Sequence, residues 1–292
     1  MSDPRSILLT AVVWAGGGLV ALGVSSGAAA GTVPAQLPSG TVVDAPVPPG
    51  PPVAYPDTVP PAWFAGLWYE RDFISSDLPQ WTDWAGVRAA AVRELPRGAI
   101  GLELFVAERF VLRDRGMLVD AYGELWNRAY GNLRLRVTPG ADVLPGKDVR
   151  GELFQAWPGG WELSGSGWWM DFPEHDATVL GVGLARYLGS WYLREVVTLG
   201  RLAGESALSA RVLARRYLHP PREYVEVSGG VGKEVVVLGA GPVVDVRGTR
   251  FVQAGLQKFL TPTWGVAATL AYNRFQGAPS RRGGSVGVLA RF

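Results

Sequence analysis

The chain closes on Arg281-Arg282-Gly283-Gly284-Ser285-Val286-Gly287-Val288-Leu289-Ala290-Arg291-Phe292. Counted back from Phe292, the residues Ala290, Val288, Val286 and Gly284 form one apolar row, and Arg291, Leu289, Gly287 and Ser285 form the other. A period of two is the signature of a strand. An apolar face backed by a small or polar one, ending on an aromatic residue, fits the closing strand of a bacterial outer-membrane β-barrel. Phe292 is then expected to act as the barrel-assembly signal.

The same alternation runs back through most of the chain. In Asn132-Leu133-Arg134-Leu135-Arg136-Val137-Thr138, three apolar residues stand on one side and both arginines on the other. A helix would spread those charges around its circumference. Leu208, Ala210, Val212 and Ala214 alternate with Ser209, Arg211 and Arg215, and Val266, Ala268, Leu270 and Tyr272 alternate with Ala267, Thr269, Ala271 and Asn273. In a soluble sandwich the apolar rows would point inward; in a membrane barrel they meet lipid and the polar rows line the lumen.

Strands are expected near 65–75, 81–94, 98–112, 116–128, 130–140, 148–157, 160–171, 176–188, 190–202, 205–217, 223–233, 249–260, 264–275 and 283–292. The fold class is therefore all-β, a closed antiparallel transmembrane barrel of about 14 strands, with 12 or 16 as alternatives. The open point is the stretch 233–249, which either extends its flanking strands or forms an extra hairpin. Tight turns at 95–98, 158–160, 189–190 and 261–263 are expected on the periplasmic side, and the longer connections outside. Trp63, Trp68, Trp81, Trp84, Trp126, Trp157, Trp161, Trp191, Tyr192, Tyr217 and Tyr272 fall where strands meet turns, the place of interfacial aromatic belts.

Composition agrees with a lipid-facing surface. Of 292 residues, 48% are hydrophobic and only 18% charged, against about a quarter charged in ordinary soluble domains. The absence of cysteine argues against a disulfide scaffold or a thiolate metal site. A formal charge of +2 indicates no general attraction to nucleic acid. The apolar run from Ser6 to about Val24, followed by Ser25-Ser26-Gly27-Ala28-Ala29-Ala30, reads as a signal peptide over 1–31, with an uncleaved anchor as the alternative. Residues 32–62 form a Pro-rich periplasmic linker, and 63–292 the barrel.

Several islands resemble the YaiO-type outer-membrane β-barrel family. They are Tyr69-Glu70-Arg71-Asp72-Phe73, Ala121-Tyr122-Gly123-Glu124-Leu125-Trp126 followed by Tyr130, Tyr187-Leu188-Gly189-Ser190-Trp191-Tyr192, and Arg215-Arg216-Tyr217. The resemblance covers about 65 to 292. Gly123 stands where the family tends to have proline. The resemblance implies an outer-membrane barrel found in the context of exopolysaccharide export, and carries over no catalytic residues.

No motif points to catalysis. A surface lipid hydrolase would need a histidine beside a serine at the rim. His175 sits in an expected outer loop and His219 in an expected periplasmic turn, and no serine lies in a nucleophile motif. Three adjacent residues such as Glu174, His175 and Asp176 rarely converge on one metal, and Gly239-Ala240-Gly241 lacks the third glycine of a dinucleotide fingerprint. No cofactor is expected.

The charged residues on the polar rows carry the functional question. Alternation puts Glu70, Asp72, Glu103, Asp120, Glu124, Glu152 and Glu162 inside, with Arg88, Arg109, Arg134, Arg136, Arg150, Arg211, Arg215 and Arg291. An arginine facing lipid at mid-bilayer costs about 2–4 kcal/mol, so these rows must face water or partners. Either they pair across the lumen and plug it, or they line an aqueous path with rings such as Trp168, suited to a saccharide or anionic solute. The expected function is a porin-like channel or accessory for polysaccharide export; the alternative is a plugged barrel that docks a periplasmic or surface partner. Expected partners are outer-membrane lipid and lipopolysaccharide, the barrel-assembly machinery, polysaccharide and periplasmic export components, and no nucleic acid.

Overall fold

Fourteen antiparallel strands close on themselves, each hydrogen-bonded to its sequence neighbours and the first to the last. The computed structural model describes residues 63–75, 82–172, 175–219, 222–237, 244–277 and 279–292. The expected signal peptide, the Pro-rich linker and Trp81 lie outside them. The strands are β1 (Trp63–Ser75), β2 (Trp84–Leu95), β3 (Gly98–Arg109), β4 (Leu112–Trp126), β5 (Ala129–Val137), β6 (Lys147–Trp157), β7 (Trp161–Asp171), β8 (Asp176–Leu188), β9 (Trp191–Leu202), β10 (Glu205–His219), β11 (Glu223–Val237), β12 (Val244–Phe259), β13 (Trp264–Phe275) and β14 (Ser280–Arg291).

Closure runs through β1 and β14, with Tyr69 opposite Val286 and Leu67 opposite Val288. Backbone bonds of 2.7 and 3.0 Å between Trp63 and Phe292 extend the seam to the rim that carries both ends of the barrel. A closed ladder leaves no strand edge, which a chain in hydrocarbon requires because no water can satisfy free backbone groups.

The outward rows are apolar and fully presented: Leu67, Leu104, Leu180, Val182, Leu270 and Val286 are each more than half exposed. In lipid this belt is the solvated surface, and the core of the molecule is its lumen. At the rim with the two ends of the barrel, Trp63, Trp126, Trp157, Trp191 and Trp264 point outward as an aromatic girdle. Barrels of this class turn that rim to the periplasm; the opposite one is called here the loop rim.

The expected count of about 14 strands holds: β11 runs on to Val237 and pairs with β12 from Val244, so the stretch 233–249 extends its flanking strands and the described residues form 14 strands. Two expectations change. The turn between β3 and β4 falls at Phe110-Val111, with positive φ of 51° and 64°, and not at 113–115. That position carries none of the glycine or asparagine signals of a two-residue hairpin turn; the buried Phe110 ring, 2% exposed, holds it instead. Of the presumed interfacial aromatics, Trp68, Trp84, Tyr192 and Tyr217 face the lumen, because each shares a row with charged lumen residues such as Glu70, Arg88, Arg194 and Arg215.

Candidate functional site

The lumen fills in three levels. Nearest the loop rim, Trp84, Phe110, Val143, Met170, Phe172, Ala177, Leu202 and Ala207 form one buried apolar cluster. Its members run from β2 on one wall to β9 and β10 on the other, seven and six strands away in a ring of 14, so the apolar packing spans half the ring. The centre is supplied by residues 138–146, the connection from β5 to β6, which folds inward instead of standing above the rim. Thr138 donates to the Gly146 carbonyl and Gly146 to that of Asp171, at 2.8 and 2.9 Å. The Asp114 carboxylate on β4 accepts the backbone N–H groups of Asp142, Val143 and Leu144 at 2.8, 3.0 and 2.7 Å. Asp114, Val143 and Leu144 are all buried. One carboxylate thus satisfies three amides that would otherwise be buried without partners, and this lets the segment sit inside.

Beneath this cap lies the charged level. Glu70, Arg88, Glu103, Arg109, Arg134, Arg136, Asp148, Arg150 and Trp168 surround a cavity of about 60 Å³ whose ceiling includes Leu144. That is space for a handful of waters. The side chains pair mainly between neighbouring strands, Arg88 with Glu103 at 3.3 Å, Arg134 with Asp120 at 2.7 Å and Arg136 with Asp148, while Arg150 pairs with Glu152 on its own strand at 3.6 Å. Asp148 also accepts the Trp168 indole N–H at 3.0 Å. Arg109 and Arg281 both stack on Trp84, at 4.7 and 5.0 Å. Trp68 lies flat along the wall under Arg88, 4.5 Å from its ring. Flat packing is possible because Gly66 and Gly287 flank it: a Cβ at either would fall 2.1–2.2 Å from ring carbons.

Toward the rim with the two ends of the barrel the lumen becomes aromatic. Tyr122, Tyr130 and Phe154 form a stack, the last two 4.5 Å apart, and Tyr187, Tyr192, Tyr217 and Tyr224 form a second group with Ala185 and Leu213. Glu162, 1% exposed, accepts the hydroxyls of Tyr130 and Tyr192. Arg215 pairs with Glu226 at 2.6 Å and lies 4.1 Å over Tyr224. Arg194 bonds Glu152 and, at 2.9 Å, Ser164. At the mouth, Arg222, just before β11, reaches Glu94 on β2 with an Nε–H bond of 2.8 Å and lies 4.4 Å over Phe64.

Of the residues that alternation put inside, the structure places Glu70, Asp72, Glu103, Asp120, Glu152, Glu162, Arg88, Arg109, Arg134, Arg136, Arg150, Arg211, Arg215 and Trp168 on inward rows, and eight of them meet at the cavity. Arg211 bonds Ser228 at 3.2 Å and stacks on Phe251. Glu124 and Arg291 have the right row but sit exposed at the rim. Arg291 stands opposite Phe64, six residues along β1 from Glu70, so it does not approach Glu70 or Asp72. The partner of Asp72 is Arg281, at 3.3 Å. Phe292 is 73% exposed. His175 contributes its carbonyl to the Phe172 amide in the β7–β8 connection.

Alternation could have found Arg194, Arg281, Glu226 and the lumen tyrosines, since each lies on a polar row. Asp114 was hidden by the misplaced β3–β4 turn. Glu94 and Arg222 are joined only by the curvature of the wall.

Residues 65–235 match the YaiO membrane beta barrel domain, more than half of the chain. No curated protein sequence matches it. Among solved structures, the CymD monoaromatic hydrocarbon channel aligns with a TM-score of 0.54 at 9% identity, covering 81% of this chain and 90% of that one. An anion-selective porin from Comamonas acidovorans gives 0.44 at 9% identity, over 79% of this chain and 98% of that one. An outer membrane channel from Pseudomonas putida F1 gives 0.45 at 12%, over 80% and 97%. At 9% identity the likeness to CymD is one of fold. With its closed ring, its lipid-facing belt and the family match over residues 65–235, the chain belongs to the YaiO membrane beta barrel domain family and is a bacterial outer-membrane β-barrel.

Proposed function

We propose that this barrel rests closed and serves polysaccharide export as an accessory component, not as a standing-open pore. The observation that carries the reading is the state of the lumen arginines. Arg134, Arg136 and Arg215 are each bonded to a carboxylate on an adjacent strand and almost fully buried. Arg134 and Arg136 line the cavity of about 60 Å³, room for a handful of waters. Fourteen strands enclose a wider bore than the eight that side chains fill completely, so closure here depends on long arginine, tyrosine and tryptophan side chains and on the segment 138–146. The link to polysaccharide export rests on the family resemblance.

Planar-bilayer recording of the purified full chain tests the reading. The expected result is little steady conductance from protein whose fold is verified by faster gel migration before boiling than after. A large, permanently open conductance would overturn it. Crosslinking through residues 32–62 should capture a periplasmic export component, and export left intact by deletion of that arm would count against docking there.

A second reading is favoured by the Asp114 contact. Because a single carboxylate gathers three amides of the cap, displacement of 138–146 would open the loop rim and turn the closed barrel into a conduit. Asp114→Ala separates the two: conductance that appears only in this variant favours a gated channel, and continued silence favours the accessory role.

A further inference from the structure

The outer surface carries charge in a band near the loop rim, and the strand registers show how each charge is neighboured. Around most of the ring the outward cations stand beside carboxylates. Arg113 is directly opposite Glu108, and Arg115 is diagonal to the same Glu108. Lys147 faces Asp171. Arg201 faces Thr178 and is diagonal to Asp176. Opposite charges in such positions stabilise a sheet, and like charges directly opposite destabilise it.

The sector from β11 to β1 breaks this pattern. Arg250 on β12 is directly opposite Arg274 on β13. Arg282 on β14 stands between Tyr272 and Phe73 and is diagonal to Arg274 on one side and Arg71 on the other. Lys233 on β11 faces Gly248, two residues from Arg250. All five are exposed, on the rows that carry Val231, Val252, Tyr272, Val286 and Tyr69 to lipid. Arg71 has Asp83 at 3.2 Å; among the described residues, Lys233, Arg250, Arg274 and Arg282 have no carboxylate opposite or diagonal to them.

We propose that this sector is a binding site for the phosphorylated headgroup of an outer-leaflet lipid, with Arg250, Arg274 and Arg282 as its phosphate contacts. An arginine pair set face to face in a ladder calls for an anion between the two guanidiniums, and a phosphate accepts from both at once. The height of the patch selects the source. Below Arg250, Arg274 and Arg282 the same sector presents Leu270, Val286 and Tyr69, 72%, 62% and 45% exposed, so these three cations stand at the upper edge of the hydrocarbon belt, where lipid phosphates lie. Outward Ala254 and Gly284 flank Leu270 across the ladder, leaving shallow grooves along which acyl chains can lie. The rings of Tyr272 and Phe73, 5.9 and 5.3 Å from the Arg282 and Arg71 guanidiniums, support the heads at the interface. The proposal concerns the lipid-facing surface and is independent of whether the lumen conducts.

Binding of bisphosphorylated lipid A to the full chain in an uncharged detergent tests the site. The combined change Arg250→Gln, Arg274→Gln and Arg282→Gln should weaken binding by about ten- to a hundredfold, as expected for three surface cations. Arg113→Gln with Arg115→Gln, on the other side of the ring, should leave it unchanged. Equal binding by the triple variant, or equal binding of dephosphorylated lipid A, would overturn the proposal. Displacement of the lipid by an equal concentration of inorganic phosphate would reduce the site to a simple anion contact and also overturn it. Arg274→Gln alone gives a readout that does not depend on the triple variant folding. It should raise the unfolding temperature in lipid-free detergent, because one of two facing charges is gone, and diminish the further rise on adding lipid A. A lower lipid-free unfolding temperature with the full lipid response retained would refute it.

Discussion

Asp114→Ala is the perturbation with the largest expected consequence. The carboxylate is 4% exposed and accepts three backbone amides at 2.7–3.0 Å. Hydrogen bonds to a charged group contribute about 1.5–3 kcal/mol each, a gross of roughly 4–9 kcal/mol for three. Amides that swing out regain water, so a net loss of about 4 kcal/mol is the reasonable expectation. What still holds the segment is the burial of Val143 and Leu144, 4% and 2% exposed, about 1.5–3 kcal/mol apiece. The variant therefore keeps its cap most of the time, but a loss of ~4 kcal/mol lowers the closed-to-open ratio ~10³-fold. Hydrogen exchange reads this directly: protection of the Val143 and Leu144 amides should fall by about two to three orders of magnitude, while amides in the β1–β14 seam keep theirs. Bilayer recording of the same protein should show whether the exposed opening conducts. Protection at 142–144 unchanged from wild type, in protein with the normal gel shift, would refute the idea that Asp114 latches the segment.

Three further perturbations follow. Glu226→Gln leaves the Arg215 guanidinium, only 4% exposed, without its counter-charge and should destabilise the barrel by about 3–5 kcal/mol; urea unfolding from lipid vesicles followed by tryptophan fluorescence checks it, and replacing both partners by apolar residues should cost less. Gly287→Ala puts a methyl 2.2 Å from the Trp68 ring and should cost about 1–3 kcal/mol through overpacking, with a changed tryptophan spectrum as Trp68 tilts; an unchanged spectrum and midpoint would show that the ring has room. Val111→Asn places a residue that tolerates the left-handed region where a β-branched one now has φ of 64°, so it should raise stability by about 1 kcal/mol in the same unfolding assay.

The barrel was legible because its evidence is local. Strand period, face and approximate boundaries depend on neighbours two residues apart, and rows such as Leu133-Leu135-Val137 against Arg134-Arg136 read the same in the text and in the lumen. The one turn that went astray, Phe110-Val111, is held by packing against Trp84 at 5.3 Å, a contact no local rule contains. That error removed Asp114 from the lumen rows and with it the reason why 138–146 folds inward. The Arg291 expectation failed for a related cause. Row parity says which face a side chain takes but not its height, and register places Arg291 at the rim while Arg281 meets Asp72.

By itself, then, the chain determined an all-β membrane barrel of about 14 strands, its apolar outside and its charged inside, because alternation and lipid exposure are properties of single strands. Whether the inner charges face water or each other was decided by tertiary structure alone. Curvature brings Glu94 to Arg222 and Tyr130 and Tyr192 to Glu162, and an inserted segment covers the cavity. Closure depends on distances across a ring, and those are set only when all the strands have closed.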